Sequence, residues 1–234
     1  MKSGEISLGA CGGRILTGEG YRFTQDSVLL ANLMSAGSRD RLLDLGCGGG
    51  VISVLALLKK GVREAVGLDN DAAVVELYGR NAELNGLSDR MRGVCADVRA
   101  AASALGGEVF DKAAVNPPYY DFDDGTGALD PHKRESGAVL ADFVAAAAAL
   151  LKNGGDLFLV HKAERLTDAL TLLREAGLEP KRLHLVFPRP GSPADIFVVA
   201  ARKGGGKGLT VRSLTVTDER GERTREIKEL YSDG

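Results

Sequence analysis

Short apolar runs alternate with longer segments of helical periodicity along most of the chain. The apolar runs have the length of buried strands and lie near residues 41–45, 65–69, 91–96, 110–115 and 156–161. The segments with helical spacing lie near residues 51–58, 72–85, 139–151 and 163–176. Alternating strands and helices build a parallel sheet whose two faces are covered by helices. The pattern therefore predicts an α/β fold.

The C-terminal part of the chain departs from this alternation. Strands near residues 182–187 and 196–202 are separated by a short loop with three prolines, which favours an antiparallel hairpin. Residues 209–216 alternate like an exposed strand, and residues 224–231 have the pattern of a short helix. Lysines and arginines give this end a local basic character that the net charge conceals.

The N-terminal residues predict a separate unit. Alternation on either side of Gly18–Gly20 predicts a small hairpin, and Asp26 or Ser27 is suited to cap the helix that follows. A hairpin and a helix at the edge of a sheet can close over a ligand. We therefore expect a hairpin-and-helix lid in residues 1–38. The α/β domain, which includes a basic C-terminal strand and helix, would occupy residues 39–234.

Composition narrows the class of protein without pointing to a partner. The chain has 234 residues, 44% of them hydrophobic, and a formal net charge of -2, so a nucleic-acid surface would have to be a local patch. Three cysteines without a C-x-x-C pair predict reduced, mostly buried thiols and a cytoplasmic protein. The three histidines lie far apart, so we expect no metal site. No apolar run reaches the length of a membrane span, and the N-terminus lacks the pattern of a signal segment.

A glycine-rich turn lies between the first strand of the alternating region and its helix. Gly46, Gly48 and Gly50 would let a ligand approach the backbone, and the helix that follows would offer free N–H groups. The spacing does not match the G-x-G-x-x-G fingerprint of a nicotinamide or flavin fold. Asp44 before the turn would suit a cationic amino-acid group better than a pyrophosphate. The turn therefore favours S-adenosylmethionine as the cofactor.

Acidic residues follow the next two strands. Asp69 lies about 20 residues beyond the glycine turn, at the place of a carboxylate that binds ribose hydroxyls. Asp97 can accept a hydrogen bond from an adenine amine, or it can cap the helix that begins at Val98.

The sequence Asn116-Pro117-Pro118-Tyr119 follows the fourth strand. The two prolines end ladder pairing and fix an extended turn, so Asn116 is held at the carboxyl end of a strand. Its side-chain oxygen and a neighbouring main-chain carbonyl can accept both hydrogens of a planar NH2 group. Tyr119 can stack on the flat group that carries that nitrogen. The alternative is a turn with a local Asx-type bond.

Two sets of basic residues are candidates for contact with an acidic substrate. The first is His132-Lys133-Arg134 in the polar loop after Tyr119, and the second includes Arg189 and Lys203 near the C-terminus. Both are equally compatible with solvated surface.

The order of these motifs resembles a class I S-adenosylmethionine-dependent methyltransferase over roughly residues 40–202. That resemblance implies a Rossmann-like seven-stranded sheet, mostly parallel with one antiparallel strand, and helices on both faces. Asn-Pro-Pro-Tyr is typical of enzymes that methylate a planar nitrogen. Three further segments resemble the bacterial family that methylates adenine N6 beside the anticodon of valine tRNA. They are the segment from Gly20 to Ala31, the stretch from Pro190 to Gly205, and Glu229–Tyr231.

The resemblance also implies roles for individual residues. The methionine part of the cofactor would be bordered by Asp44, Gly46, Cys47, Gly48 and Gly50. Cys47 stands where Thr or Ser is common, and its backbone should serve as well. Asp69, with Asn70 beside it, would bind the ribose hydroxyls, and Asp97, with Val98 next to it, would face the adenine. Thr24 and Asp26 match the segment that closes over the cofactor. Asn116, Pro117, Pro118 and Tyr119 would hold the target amine, with Asn116 also bordering the cofactor.

Three functions follow as hypotheses. The leading one is methylation of adenine N6 in tRNA, with RNA as partner and neither a metal nor a membrane. The second is methylation of another planar nitrogen, either a protein glutamine amide or a base amine in ribosomal RNA. The third is a non-catalytic nucleic-acid-binding module on the same fold, against which the intact cofactor motifs argue.

Overall fold

The computed structural model describes residues 4–9, 11–17, 24–107, 109–117 and 139–232. Its strands are β1 (Gly4–Ser7), β2 (Arg14–Thr17), β3 (Arg41–Leu45), β4 (Glu64–Asp69), β5 (Met91–Cys95), β6 (Phe110–Val115), β7 (Leu151–Lys162), β8 (Leu178–Phe187), β9 (Ile196–Lys203) and β10 (Thr210–Thr215). Its α-helices are α1 (Gln25–Leu33), α2 (Val51–Lys59), α3 (Ala72–Leu84), α4 (Ala101–Ala104), α5 (Leu140–Leu150), α6 (Leu166–Glu175) and α7 (Arg225–Ser232).

One mostly parallel sheet organises the fold. Its strand order is β10-β8-β9-β7-β6-β3-β4-β5, and among the described residues it has eight strands rather than the seven expected. The additional strand is β10, the exposed strand of the sequence pattern, which pairs in parallel with β8. Only β9 runs antiparallel to its neighbours in the described part of the sheet. The predicted antiparallel hairpin of β8 and β9 is therefore confirmed.

The sheet is buried by helices on both faces. Residues of α1, α2, α3 and α7 pack in one hydrophobic cluster, and residues of α4, α5 and α6 pack in the other. The central strands are apolar on both sides, as parallel strands covered twice must be. This double burial holds the strand ends in fixed positions.

The described N-terminal residues form a small hairpin. Strand β2 pairs with β1, and the turn of this hairpin lies before β2. The predicted turn at Gly18–Gly20 lies outside the described residues. Helix α1 begins at Gln25 after Thr24, which makes no side-chain cap, so neither Asp26 nor Ser27 has the expected capping role.

The predicted burial of the cysteines is wrong for two of three. Cys47 is buried, whereas Cys11 is intermediate and Cys95 is exposed, and all three are free thiols. Their pairing state agrees with the prediction, but their scatter in sequence carried no information on burial.

Tyr78 is fully buried and explains two glycines inside strands. A Cβ added at Gly67 in β4 would lie 2.5 Å from the Tyr78 ring and 2.8 Å from the Cys47 sulfur. A Cβ at Gly93 in β5 would lie 2.8 Å from Val75 on the same helix as Tyr78. The glycines therefore allow α3 to pack closely on the sheet.

We expect Gly67→Ala to lower the free energy of unfolding by about 1–3 kcal/mol, because the added methyl overpacks the contact with Tyr78. Gly79→Ala on α3 is the matched control, since its added Cβ meets nothing within 4 Å. Alanine there should stabilise the helix by about 0.5–1 kcal/mol. Urea denaturation of both variants measures the contrast. Equal effects of the two substitutions would contradict this account of the packing.

Candidate active site

The candidate site lies where the connections of the sheet diverge. From β3 the chain continues to β4 and β5 on one side, whereas β6 and β7 lie on the other side of β3. Helix α2, which follows β3, and helix α5, which follows β6, cover opposite faces of the sheet. The carboxyl ends of β3 and β6 therefore border a crevice, which is where open α/β sheets bind ligands. The glycine turn follows β3, and Asn116 follows β6. Two motifs that are far apart in sequence thus face one crevice.

The glycine turn requires its glycines for conformational reasons. Gly46, Gly48 and Gly50 have φ values of 67°, 51° and 85°, in the left-handed region that other residues rarely adopt. The N–H groups of Gly46 and Cys47 both donate to the carbonyl of Leu68, at 2.8 and 3.1 Å. These bonds attach the turn to the end of β4. Helix α2 begins immediately after Gly50, so its N-terminus points into the crevice.

Asp44 lies beneath the turn and is buried, with only 1% of its surface exposed. Its Oδ2 accepts a hydrogen bond from Ser53 at 2.7 Å, and the Ser53 hydroxyl in turn accepts one from Tyr78 at 2.8 Å. Its Oδ1 is buried without a partner among the described residues. Burial raises the pKa of Asp44 to about 7, although the Ser53 hydrogen bond opposes the change. Asp44 is therefore packed beneath the turn and is not exposed in the crevice.

Asp69 and Asp97 lie at the edge of the sheet beyond the turn. Asp69 is half-buried at the end of β4, and its carboxylate accepts from the Gly48 N–H at 3.1 Å and from the Asp71 N–H at 3.2 Å. Asp97 caps a short 3-10 helix by accepting from the Arg99 N–H at 2.8 Å. Its side-chain bond to Arg99 lowers its pKa to about 2. The capping interpretation of Asp97 is thus observed, and its adenine contact stays a prediction.

Two other predicted cofactor residues flank these carboxylates. Asn70 is exposed directly after Asp69, and Val98 is buried directly after Asp97. The exposed Asn70 and the carboxylate of Asp69 face the same edge as the glycine turn, because β3 and β4 are adjacent and parallel.

Asn116 is fixed by helix α1. Its Nδ2 donates to the Ser27 hydroxyl at 2.8 Å and approaches the Thr24 hydroxyl at 3.4 Å. The amide nitrogen therefore points to α1, which orients the carbonyl oxygen of the same side chain. Pro117 is buried directly after it. Thr24 was among the predicted residues, but no pattern in the sequence singled out Ser27 as a partner of Asn116.

Asp26 is separated from Asn116 although it lies between Thr24 and Ser27. Successive residues of a helix are turned by about 100°, so Thr24 and Ser27 share one face and Asp26 points away from it. Asp26 lines a cavity on the far side of α1 with Gln25 and Leu29.

The predicted basic residues have different positions. Arg189 is exposed in the loop between β8 and β9, at the carboxyl edge of the sheet. Lys203 ends the antiparallel strand β9 at the opposite edge, where it donates to the carbonyls of Ala148 and Leu151. The length of the sheet therefore separates Lys203 from Asn116, and its contact with the substrate stays a prediction. Pro118, Tyr119, His132, Lys133 and Arg134 lie outside the described residues.

The described residues show no sign of two other kinds of site. In this part of the chain no group of three or more His, Cys, Asp or Glu side chains could hold a metal ion. No helix there is long and apolar enough to cross a membrane.

Comparison with known families and proteins gives consistent matches. The family model described as methyltransferase small domain matches residues 22–176. The rRNA N(6)-adenosine-methyltransferase metl-5 of Caenorhabditis elegans is 28% identical over 123 residues, covering 53% of this chain and 52% of that protein. A release factor glutamine methyltransferase of Xylella fastidiosa is 31% identical over 157 residues, covering 60% and 54%. The tRNA1(Val) (adenine(37)-N6)-methyltransferase of Shewanella halifaxensis is 30% identical over 102 residues, covering 43% and 41%. The matched part thus spans about half of these relatives or less.

Solved structures resemble the fold over more of the chain. A predicted O-methyltransferase from Agrobacterium tumefaciens has a TM-score of 0.72 and 25% identity, covering 89% of this chain and 96% of that one. A 16S rRNA N2 methyltransferase from T. thermophilus, solved with AdoMet and guanosine, has a TM-score of 0.59 and 23% identity, covering 86% and 50%.

Asp44→Asn should remove a pH dependence from the stability of the protein. Between the usual pKa of 3.8 and about 7, unfolding releases the Asp44 proton, so the stability of the wild type falls as pH rises through this window. Asp44→Asn should therefore be more favourable to stability, relative to the wild type, at high pH than at low pH. The change in the free energy of unfolding caused by the substitution should differ between the two pH values by roughly 2–4 kcal/mol. Urea denaturation at pH values of about 4 and 8 measures it.

Asp89→Asn, at an exposed position, is the matched control for the loss of one carboxylate. This substitution should change the difference in the free energy of unfolding between the two pH values by only a few tenths of a kcal/mol. The same pH profile in wild type and Asp44→Asn would show that the buried carboxylate does not titrate in this range.

Proposed function

The chain belongs to the methyltransferase small domain family, and from that premise we propose that it transfers a methyl group to N6 of an adenine in RNA, more specifically in tRNA. The family and the fold confirm the prediction of an S-adenosylmethionine-dependent methyltransferase with a Rossmann-like class I fold. The nature of the acceptor, the RNA and the site residues are the proposal. The observation that carries it is the orientation of Asn116 by Ser27 at the edge of the crevice.

The residues around the crevice fit the cofactor. The left-handed glycines leave a turn without side chains, and the N-terminus of α2 suits a carboxylate. Asp69 offers a half-buried carboxylate at the next strand end, as ribose hydroxyls require. The buried Asp44, when ionised, adds negative potential beneath the turn, which favours the ammonium and sulfonium groups. When bound, S-adenosylmethionine supplies an electrophilic methyl group.

Other residues at this edge complete the proposed cofactor site. Asp97 and Val98 follow β5 and would contact the adenine ring, and Thr24 lies beside Asn116 at the start of α1. Cys47 contributes its backbone, because its side chain is buried against Gly67.

Asn116 and Pro117 form the proposed acceptor site. The side-chain oxygen of Asn116 and the carbonyl of Pro117 would accept the two hydrogens of an exocyclic amine. The lone pair of such a nitrogen is delocalised into the ring, and these two hydrogen bonds return electron density to it. They also orient the amine for attack, so proximity and orientation supply most of the rate. As positive charge develops on nitrogen, the two oxygens stabilise it.

Asn116 does not act as a general base in this mechanism. An amide has no useful basicity, and the extra proton passes to solvent after the transfer. Tyr119 and Pro118, which follow Asn116 in sequence, remain the predicted surface on which the base stacks, and the base must leave its own stack to reach them.

An adenine amine in RNA is favoured by two of the relatives. The relatives from Caenorhabditis elegans and Shewanella halifaxensis are named for N6 of adenosine in rRNA and adenine in tRNA. Exposed Arg189 at the carboxyl edge supports contact with phosphates, as do the predicted His132, Lys133 and Arg134. The tRNA substrate, the position beside the anticodon and the cytoplasmic location stay predictions.

A protein glutamine amide is the second candidate acceptor. The relative from Xylella fastidiosa is a release factor glutamine methyltransferase, and the same two oxygens could hold an amide nitrogen. This candidate predicts transfer to protein in the absence of RNA.

Asn116→Ala should lower kcat at least about 100-fold, because it removes the oxygen that holds the amine. Labelled S-adenosylmethionine is supplied with total tRNA, ribosomal RNA or protein extract, and the methylated product is identified by nucleoside digestion. Asn153→Ala is the matched control, exposed in β7 at the opposite edge of the sheet, and should retain full activity. Equilibrium dialysis shows whether the cofactor still binds.

The distribution of label decides between the acceptors. N6-methyladenosine in tRNA that Asn116→Ala abolishes supports the proposal. The same product in ribosomal RNA alone moves the substrate to that RNA. Label in protein alone contradicts the proposal in favour of glutamine methylation. Binding of S-adenosylmethionine without transfer to any of the three contradicts all of these acceptors.

Ser27→Ala should lower kcat roughly 3- to 10-fold with little change in KM, because it removes a hydrogen bond that positions Asn116. Ser27→Thr keeps the hydroxyl and should restore most of the rate. Ser103→Ala on α4 removes a local hydroxyl bond far from α1 and serves as the control. Steady-state kinetics on the best RNA acceptor measure all three variants. An unchanged kcat in Ser27→Ala would show that the bond does not position Asn116.

A further inference from the structure

A cavity of about 400 Å³ lies on the far side of α1 from Asn116. It is open to solvent on one side and is lined by the first turn of α1, the ends of β8 and β9 with the loop between them, the residues that follow β10, and helix α7 with the segment before it. Among the described residues predicted to form the cofactor and acceptor sites, only Asp26 on α1 lines it. Its volume is in the range of pockets that bind small organic groups.

The first turn of α1 forms the wall between the cavity and the acceptor site. Thr24 and Ser27 contact Asn116 on one side of this turn. Gln25, Asp26 and Leu29 line the cavity on the other side. A helix with its side chains is about 10 Å wide, so the two sites are separated by about the width of one helix.

The floor of the cavity is apolar and its rim is aromatic and cationic. Leu29, Ile196 and Ile227 are buried residues of the floor. At the rim, the guanidinium of Arg223 lies 5.2 Å from the centroid of the Tyr231 ring. A planar guanidinium on an aromatic ring forms a stacking surface for a flat group.

Hydrogen-bonding groups are present, but the cavity has no excess of positive charge. Gln25 and Asp26 offer amide and carboxylate groups to the interior. The second carboxylate of the lining, Asp195, is paired with Lys162 at 3.1 Å. Two carboxylates in the lining disfavour a phosphate, and the polar groups disfavour a purely aliphatic ligand. A neutral, flat group with its own donors and acceptors suits the site best.

We propose that this cavity binds a nucleobase of the RNA substrate next to the base that is methylated. The assignment rests on the proposed function, because it takes an unpaired RNA segment as the ligand. The neighbouring base stacks on Tyr231 and Arg223 and bonds through its edge to Gln25 or Asp26. Unpaired bases of RNA are recognised in this way, by stacking on aromatic and guanidinium planes and by hydrogen bonds to their edges.

A basic surface continues from the cavity along the same face of the sheet. Val186 of β8 and Leu214 of β10 are paired beneath the cavity. Two residues earlier on each strand, on the same face, His184 is paired with Arg212. Arg182 lies two residues before His184 and, like Arg212, is exposed. Phosphates of a strand that leaves the cavity would meet these cations.

The test uses the anticodon stem-loop of valine tRNA with a 5′ fluorescent label, and a series in which each loop nucleotide in turn lacks its base. Fluorescence anisotropy gives the affinity of the wild type for each RNA. We expect the loss of one base beside the target adenine to weaken binding roughly 5- to 100-fold, the range of one stacked base. Arg223→Ala and Tyr231→Ala should weaken binding of the intact loop by a similar factor. They should be insensitive to loss of that same base.

Arg225→Ala is the matched control, because Arg225 is on α7 and its side chain is 92% exposed, outside the cavity. It should bind the whole series as the wild type does. Thermal unfolding shows that each variant is folded, and Arg223→Ala, which changes an exposed residue, decides the result if Tyr231→Ala is unfolded.

Methyl transfer to the same stem-loop separates this inference from the proposed function. If the wild type methylates the loop but no neighbouring base affects binding, only the cavity assignment is overturned. The cavity assignment alone is also overturned if base loss and Arg223→Ala have additive effects on the free energy of binding. If the wild type neither binds nor methylates RNA and transfers label to protein, the proposed function and this inference both fail.

Discussion

The order of the central strands is the constraint on which the site depends. Because β3 lies between β4 and β6, and the helices that follow β3 and β6 cover opposite faces of the sheet, the carboxyl ends of these two strands border a crevice. The glycine turn and Asn116 are brought together by this order and not by their distance in sequence. Burial of the sheet on both faces holds the strand ends in place. The motifs therefore face each other across a crevice with fixed walls.

Helix α1 contacts both the proposed acceptor site and the cavity behind it. Its first turn holds Asn116 through Ser27 on one face and lines the cavity on the other. A buried chain of hydrogen bonds lies under the glycine turn and joins Tyr78, Ser53 and Asp44. Burying Asp44 costs stability at neutral pH, as its raised pKa indicates. Its position beneath the proposed cofactor site is the physical reason we give for retaining it.

The sequence predicted the alternating strands and helices, the antiparallel hairpin and the glycine turn, because each has a local pattern. It did not predict that β10 joins the sheet, since the pairing of an exposed strand depends on which edge is available. It did not identify Ser27 as the partner of Asn116, because that contact joins residues 89 positions apart. It did not show that Lys203 lies at the other end of the sheet from Asn116, because the direction of β9 follows from the pairing of the strands and not from its basic neighbours in sequence. The cavity behind α1 had no sequence signal, because five separate segments line it.

The most direct test of the central claim is a crystal structure of the protein with S-adenosylhomocysteine and adenosine monophosphate. The account predicts that N6 of the adenine lies within about 2.7–3.2 Å of both the Asn116 side-chain oxygen and the Pro117 carbonyl oxygen. It also predicts that N6 faces the sulfur of the cofactor product. An adenine bound with its amine directed away from Asn116, while the cofactor product occupies the glycine turn, would contradict the account.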